Sequence, residues 1–516
     1  MRRPASEIKT GGRPGVTKGS GTEEKNARFP GRTAAAGVIV FLLAAVPIVL
    51  TPIPPTTDLP QHLNQVLLAI AHAGNGPGPY SVLWGAPNTL VYGFIFLLER
   101  VISLEYLGRA VLLSMIAAWI FAIFFTAGRR TRPLEGAVLA ALFLFNVSFY
   151  WGFLNFLAGF PVFIAWFFLT VRKEENPPAW WYAATVVASL FLYFGHVLWF
   201  VAGAAWFGLI SLLRRLPLRS LAFRAATLIP ACLLSFFWYR KFAAFQAASE
   251  LDLAAEWINR PFEKLFTMWF RGAAFGGGTG GLETILFFFL LAWAGLSLAT
   301  NRKDWRRRVD GDLAAAAGLF FAIAFFAPDT VRNTIYFSGR WAAVSFILAV
   351  LSLPAPRIKP ALRRTAAWGA VLAFYLVTTI HWAGYERTEL TGLKESLARI
   401  PRASRVLGLD YVKMSRYFKH RPFLQLYAYA HVFRDAELGL SFARHSTGLV
   451  AFRRTRPNPW TPKLDWYSER VKESDLAYFD YVLVNGKPYD HNRRLPRRRL
   501  APVTTAGRWR LYRVEK

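Results

Sequence analysis

Between residues 33 and 382 one apolar stretch follows another, most of them close to the ~20 residues that cross a bilayer as a helix. Every second junction is basic: residues 129–132, Arg172 with Lys173, then 214–219, 302–308 and 357–364. A soluble chain cannot hide so many apolar segments, so this pattern restricts the fold to a polytopic helical membrane protein. The chain's net charge is +31 with 54% hydrophobic residues. In a soluble protein that charge would suggest nucleic acid. Here it sits in short clusters between spans, as the positive-inside rule requires, and anionic lipid headgroups are its expected partner. Cys232 is the one cysteine, which rules out an intrachain disulfide framework or a cysteine-based metal site.

Alternation gives about eleven spans within a membrane domain of residues 33–383. They are expected at 33–51, 108–127, 134–150, 155–171, 179–195, 197–213, 221–239, 283–299, 312–327, 341–354 and 365–382. Residues 1–32 are polar, basic and glycine-rich. They read as a disordered cytoplasmic tail, too long in its polar part for a cleaved signal peptide. The N-terminus is then cytoplasmic and the C-terminus outside. Residues 53–107 form the first external loop. Within it, 59–73 and 88–107 are helical in pattern but poor spans. Glu99, Arg100 and Glu105 would each cost roughly 3 kcal/mol at mid-membrane, so both stretches are expected as interfacial helices. Residues 240–282 form a second external loop with a flexible glycine run at 276–281. Its Glu250, Asp252, Glu256 and Arg271 are candidates for an acceptor-binding flap. Residues 384–516 contain no span. Strands expected at 478–486 and 508–514 make this segment a small α/β extracytoplasmic domain.

The most reactive stretch follows the first span. Residues 56–62, Thr-Thr-Asp-Leu-Pro-Gln-His, set Asp58 before a helix that Pro60 can start. Asp58 and His62 stand four residues apart and share a helix face. One reading makes Asp58 a plain helix cap. The other makes it a catalytic acid that orients or deprotonates an acceptor hydroxyl, or a ligand for a divalent cation such as Mg or Mn. His62 fits a catalytic role beside it or a polar interfacial one. Arg340 lies where the external loop 328–340 enters a span, beside Asp329, Arg332 and Tyr336. Its planar fork suits phosphate, and a snorkelling anchor is the alternative. His196, at the tip of a helical hairpin, is a further candidate for the same cavity. The turn at 150–156 holds no carboxylate, and Asn155 is its main polar group.

Several motifs carry a resemblance. DLPQH at 58–62 resembles the Asp-Tyr/Leu-Pro-x-His signature of bacterial membrane proteins related to the GT-C glycosyltransferase superfamily. WGFLNFLAGFP at 151–161, YFSGRW at 336–341 and the apolar strand at 479–484 are similar to the same group. The resemblance covers most of residues 33–516 as architecture. It implies an inner-membrane, inverting glycosyltransferase that takes a sugar from a polyprenyl-phosphate-linked lipid to an extracytoplasmic glycan, lipid or protein. It implies that Asp58 is the catalytic or metal-binding acid of the first loop, while Arg340, His196, Asn155 and Tyr336 stand as substrate-binding candidates on their own chemistry and position. Many members carry a second acid in a later loop, and this chain has none at 150–156. Two other functions share the architecture: a lipid or polysaccharide flippase, and a noncatalytic assembly protein. A flippase fits less well, because the ionisable residues collect outside the spans and no repeats are evident.

Overall fold

The computed structural model describes residues 31–516 apart from 73–78, 173–176, 249–254, 258–259, 332–333, 445–447, 454–457, 488–489 and 497–498. The tail up to residue 30, and the candidates Glu250, Asp252 and Arg332, lie outside the described residues. Each of the eleven expected spans coincides with helix. α1 (Gly31–Leu50) opens the bundle. α2 (Leu59–His72), a short strand β1 (Tyr80–Val82) and α3 (Leu90–Glu99) fill the first loop. Then come α4 (Leu104–Arg129), α5 (Leu134–Ala140) continuing through a 3₁₀ turn into α6 (Val147–Trp151), and α7 (Leu154–Thr170). The hairpin α8 (Ala179–Gly195) and α9 (Val197–Leu213) follows. Among the described residues, five helices are individually long and apolar enough to cross a membrane, and the remaining expected spans are shorter or broken.

The expected span at 221–239 is one of the broken ones. α10 (Leu218–Ala226) and α11 (Ile229–Ala248) meet at 54°. The rest of the membrane domain is α12 (Pro261–Phe266), α13 (Trp269–Phe275), α14 (Leu282–Thr300), α15 (Trp305–Arg308), α16 (Gly311–Phe326), α17 (Ala342–Ser352) and α18 (Pro360–Glu389). Between them β2 (Ala255–Glu256) pairs antiparallel with β3 (Thr330–Val331), tying the connections after α11 and α16 together. Leu42, Phe236, Phe288 and Leu376 are exposed on outer helices, where lipid replaces water as the solvent of an apolar side chain. The stretch Leu134–Trp151 is 94% buried, so it is the bundle's central post.

The basic junctions gather at one end. The Arg130 guanidinium grips Asp310 with two bonds of 2.7 Å and reaches Asp312 at 2.6 Å, while Arg214 also meets Asp312. Arg132 donates to the carbonyls of Leu351 and Ser352, and Arg363 to Glu135. Four junctions far apart in sequence are therefore neighbours in space.

At the other end sits the C-terminal domain. Its mixed sheet runs in the order β5 (Glu437–Leu438), β4 (Arg405–Asp410), β7 (Tyr481–Asn485), β9 (Trp509–Val514), β8 (Leu500–Ala506). A separate strand, β6 (Val450–Phe452), pairs with β1 of the first loop.

Three expectations change in detail. α2 does not lie on an open surface. It is buried on most sides, because the C-terminal domain covers it: Gln61 bonds Gln425 at 2.9 Å and Gln65 accepts the Val450 N–H at 2.7 Å. The stretch 88–107 breaks at residues 100–103, so Glu105 opens the membrane helix α4 instead of riding a surface helix. The glycine run is packed. A Cβ at Gly278 would stand 2.0 Å from the Tyr150 hydroxyl, and the Gly277 carbonyl accepts the Lys419 N–H at 3.2 Å. Close approach of backbone to ring requires glycine there.

Candidate active site

Asp58 is held from behind by the turn that ends the central post. The Thr57 N–H donates to the Tyr150 carbonyl at 2.9 Å and the Asp58 N–H to that of Trp151 at 3.0 Å. The turn closes at Gly152 with φ +76°, where a Cβ would lie 2.8 Å from the Asp58 nitrogen. Only glycine gives both the left-handed conformation and the space. Asp58 also opens α2, its carbonyl accepting the His62 N–H at 3.1 Å. Among the described residues no donor hydrogen-bonds its carboxylate, so the simple side-chain cap is not made. Burial pushes this acid up to about 7. The charge of Arg340 opposes the rise, and that of Asp465 adds to it.

The His62 ring bonds Tyr92 and the Gly152 backbone, not the Asp58 carboxylate. Its Nδ1 meets the Tyr92 hydroxyl at 2.9 Å, and burial lowers it to about 4, so the ring is neutral at physiological pH. Asn155 lies against the same hydroxyl, with its Oδ1 unpaired among the described residues. His196 caps α9. Its Nδ1 accepts the Leu198 N–H at 3.1 Å, which leaves the proton on Nε2 as a donor. Its ring meets the edge of Phe156 and lies within reach of the Arg340 charge.

Arg340 is nearly buried. Its guanidinium lies 3.8 Å from the centre of the Phe153 ring and donates to the Ile335 carbonyl at 2.9 Å, while Nε has no partner among the described residues. Asp58 and Asp329 are the carboxylates whose charge it feels, and neither closes an ion pair with it. Asp329 accepts from the Ser338 hydroxyl, which in turn takes a bond from Lys264. Tyr336 adopts φ +51°, outside the usual range for a non-glycine residue, and its ring stands 5.1 Å from that of Trp151.

All six expected residues thus gather at the turn 151–156, to which Asn155 itself belongs. Asp58, Arg340 and His196 are linked by charge, Asp58 and Tyr336 by contacts to Trp151, and His62 and Asn155 by the Tyr92 hydroxyl. The C-terminal domain adds residues that the sequence did not single out. Asp465 is buried, and burial raises it to about 6. Gln425 bridges toward it from Gln61, one turn from Asp58 on α2. A second acid therefore exists near Asp58, supplied from the folded C-terminal domain and not from the loop at 150–156. The string 463–466 around Asp465 carries no motif, so nothing local marked it.

As a metal site the set is poor. Asp58 has a guanidinium for a neighbour, and among the described residues no group of three His, Cys, Asp or Glu could hold an ion.

No family profile and no curated protein matches the sequence. A search of solved structures finds ArnT from Cupriavidus metallidurans, crystallised bound to undecaprenyl phosphate. The match covers 93% of this chain and 98% of that one, with a TM-score of 0.53 and 12% identity. The chain has the fold of that protein. The expected architecture, a polytopic helical bundle under a small C-terminal sheet domain, is the one found.

Proposed function

We propose that the protein is an inner-membrane glycosyltransferase that moves a sugar from a polyprenyl-phosphate lipid to an extracytoplasmic acceptor with inversion. One observation carries the reading: Asp58 is pinned by the turn at 151–152, at the end of the bundle that bears the C-terminal domain, with the buried Arg340 guanidinium in electrostatic reach. The fold shared with a protein crystallised on undecaprenyl phosphate supports the lipid class.

In this mechanism the acceptor hydroxyl attacks the anomeric carbon as the bond to the lipid phosphate breaks. Asp58 takes the hydroxyl proton, and a pKa close to the working pH suits that role. Arg340 offsets the charge that grows on the leaving phosphate. It acts from a site without bulk water, where such a cation has most effect. A phosphate leaves as an anion, so no acid is needed behind it. His196 Nε2–H and the Asn155 amide add donors around the sugar. Neutral His62, fixed on Tyr92, keeps the first turn of α2 in place. No step uses a metal, because the donor set does not fit one.

The test is Asp58→Asn in the full-length protein in its membrane, with undecaprenyl-phosphate-linked sugars as donors. Transfer is expected to fall about 10²–10⁴-fold with insertion and expression intact. Wild-type rates in that variant would remove the mechanism. A second reading, flipping without transfer, would be favoured by lipid translocation that persists in Asp58→Asn.

A further inference from the structure

The C-terminal domain reaches the site with a cation as well as an acid. Three rings lie almost parallel in a row. Trp466 stacks on Trp151 at 6.3 Å and 15°, and Trp151 on Phe153 at 6.1 Å and 16°. Arginines close both ends of this row: Arg340 against Phe153 at 3.8 Å and Arg421 against Trp466 at 5.0 Å. The middle ring, Trp151, is the residue whose carbonyl receives the Asp58 N–H. Asp58 is therefore anchored through its backbone to the middle of a row of rings that ends in an arginine at each side.

Arg421 is placed with the same care as Asp58. Its carbonyl accepts the Thr57 hydroxyl at 3.2 Å, and the neighbouring His420 bonds the Pro55 carbonyl at 2.9 Å. Both contacts cross from the C-terminal domain to the loop that carries Asp58. Among the described residues no carboxylate pairs with the Arg421 guanidinium, whereas Arg130, Arg214 and Arg363 at the opposite end all have partners. A guanidinium stacked on an aromatic face keeps its edge N–H groups free, and that fork fits phosphate or carboxylate oxygens. Its field acts on the Tyr336 phenol, so the free charge faces the site.

We propose that Arg421 is a second anion-binding residue of this site, taking a phosphate-class group of a substrate at the end of the ring row opposite Arg340. The inference rests on the glycosyltransferase reading and extends it: two substrate anions, or two parts of one, are held at the two ends of the ring row. The C-terminal domain then completes the binding site and is more than a cover over α2.

The experiment uses the full chain in nanodiscs with undecaprenyl phosphate, uncharged undecaprenol and inorganic phosphate as probes. Wild type, Arg421→Gln, Arg421→Lys and Arg340→Gln are compared, and melting temperatures report folding. If Arg421 holds the carrier's phosphate, Arg421→Gln weakens undecaprenyl phosphate by about tenfold, as loss of one charged hydrogen bond should. Undecaprenol binding stays unchanged. If it holds an anion of the acceptor, undecaprenyl phosphate binding is unaffected. Inorganic phosphate binding to the lipid-saturated protein then falls instead. Arg421→Lys, which keeps the charge and loses the fork, is expected between wild type and Arg421→Gln, and it decides the matter if Arg421→Gln melts early. Unchanged binding of both phosphates in folded Arg421 variants overturns the inference while Arg340→Gln still weakens the lipid. If wild type binds no undecaprenyl phosphate and Arg340→Gln changes nothing, the glycosyltransferase reading itself fails and the inference with it.

Discussion

A carboxyl group near neutrality acts as a base only in its ionised fraction, and two charges pull Asp58 in opposite directions. Burial raises it to about 7, Arg340 lowers it and Asp465 raises it. The acid side of the pH–rate profile should therefore fall near pH 7, with kcat/KM climbing as Asp58 ionises. Removing a nearby negative charge makes ionisation easier, so Asp465→Asn should move that limb to lower pH. Removing a nearby positive charge makes it harder, so Arg340→Gln should move the limb to higher pH. It should also lower the plateau about 10²–10³-fold through loss of phosphate stabilisation. The measurement is kcat/KM from pH 5 to 9 for the three proteins. Limbs that coincide would mean that the titrating group is not Asp58. His62 cannot replace it, since burial holds that ring at about 4 and its Nδ1 is engaged with Tyr92.

At the scale of elements, the turn between α6 and α7 aligns Asp58. Its one requirement is Gly152, where an added Cβ meets the nitrogens of Asp58 at 2.8 Å and Leu59 at 3.0 Å. Gly152→Ala should cost about 1–3 kcal/mol of stability through forced φ and overlap. It should lower kcat more than it changes KM, since it displaces the acid and not the phosphate site. Gly295→Ala is the comparison: nothing lies within 4 Å of that Cβ, and melting temperature and kcat should stay at wild-type values. The two motifs involved, DLPQH at 58–62 and WGFLNFLAGFP at 151–161, were both legible in the sequence. Their contact was not, because it is a backbone pairing across some ninety residues and leaves no local trace. The same holds for Asp465 and Arg421, ordinary charged residues in a basic domain until the fold sets them beside Thr57 and Trp151. The glycine run at 276–281 was misread for a related reason. Composition gives the freedom of a glycine but not the ring packed against it, and Tyr150 is what Gly278 accommodates.

Over the whole molecule, the alternation of apolar stretches and basic junctions carried most of the legible information, since a bilayer imposes length and charge rules on the sequence itself. What alternation could not show is how the external parts join. β1 of the first loop pairs with β6 of the C-terminal domain, and Gln61 and Gln65 of α2 bond the same domain. Asp58 and the C-terminal domain must therefore share one side of the membrane, opposite the end where Arg130, Arg214 and Arg363 meet their carboxylates. Positive-inside then predicts that the basic end is cytoplasmic. Cysteine labelling tests both statements. Cys232 is exposed, so Cys232→Ser gives a clean background. Ser474→Cys reports on the C-terminal domain and Lys303→Cys on the basic end, both at exposed positions. In intact cells a membrane-impermeant maleimide should modify the first and spare the second until the membrane is opened. Labelling of both from outside would break the bundle topology. Reversed labelling would keep the bundle but turn Asp58 inward, away from any extracytoplasmic acceptor.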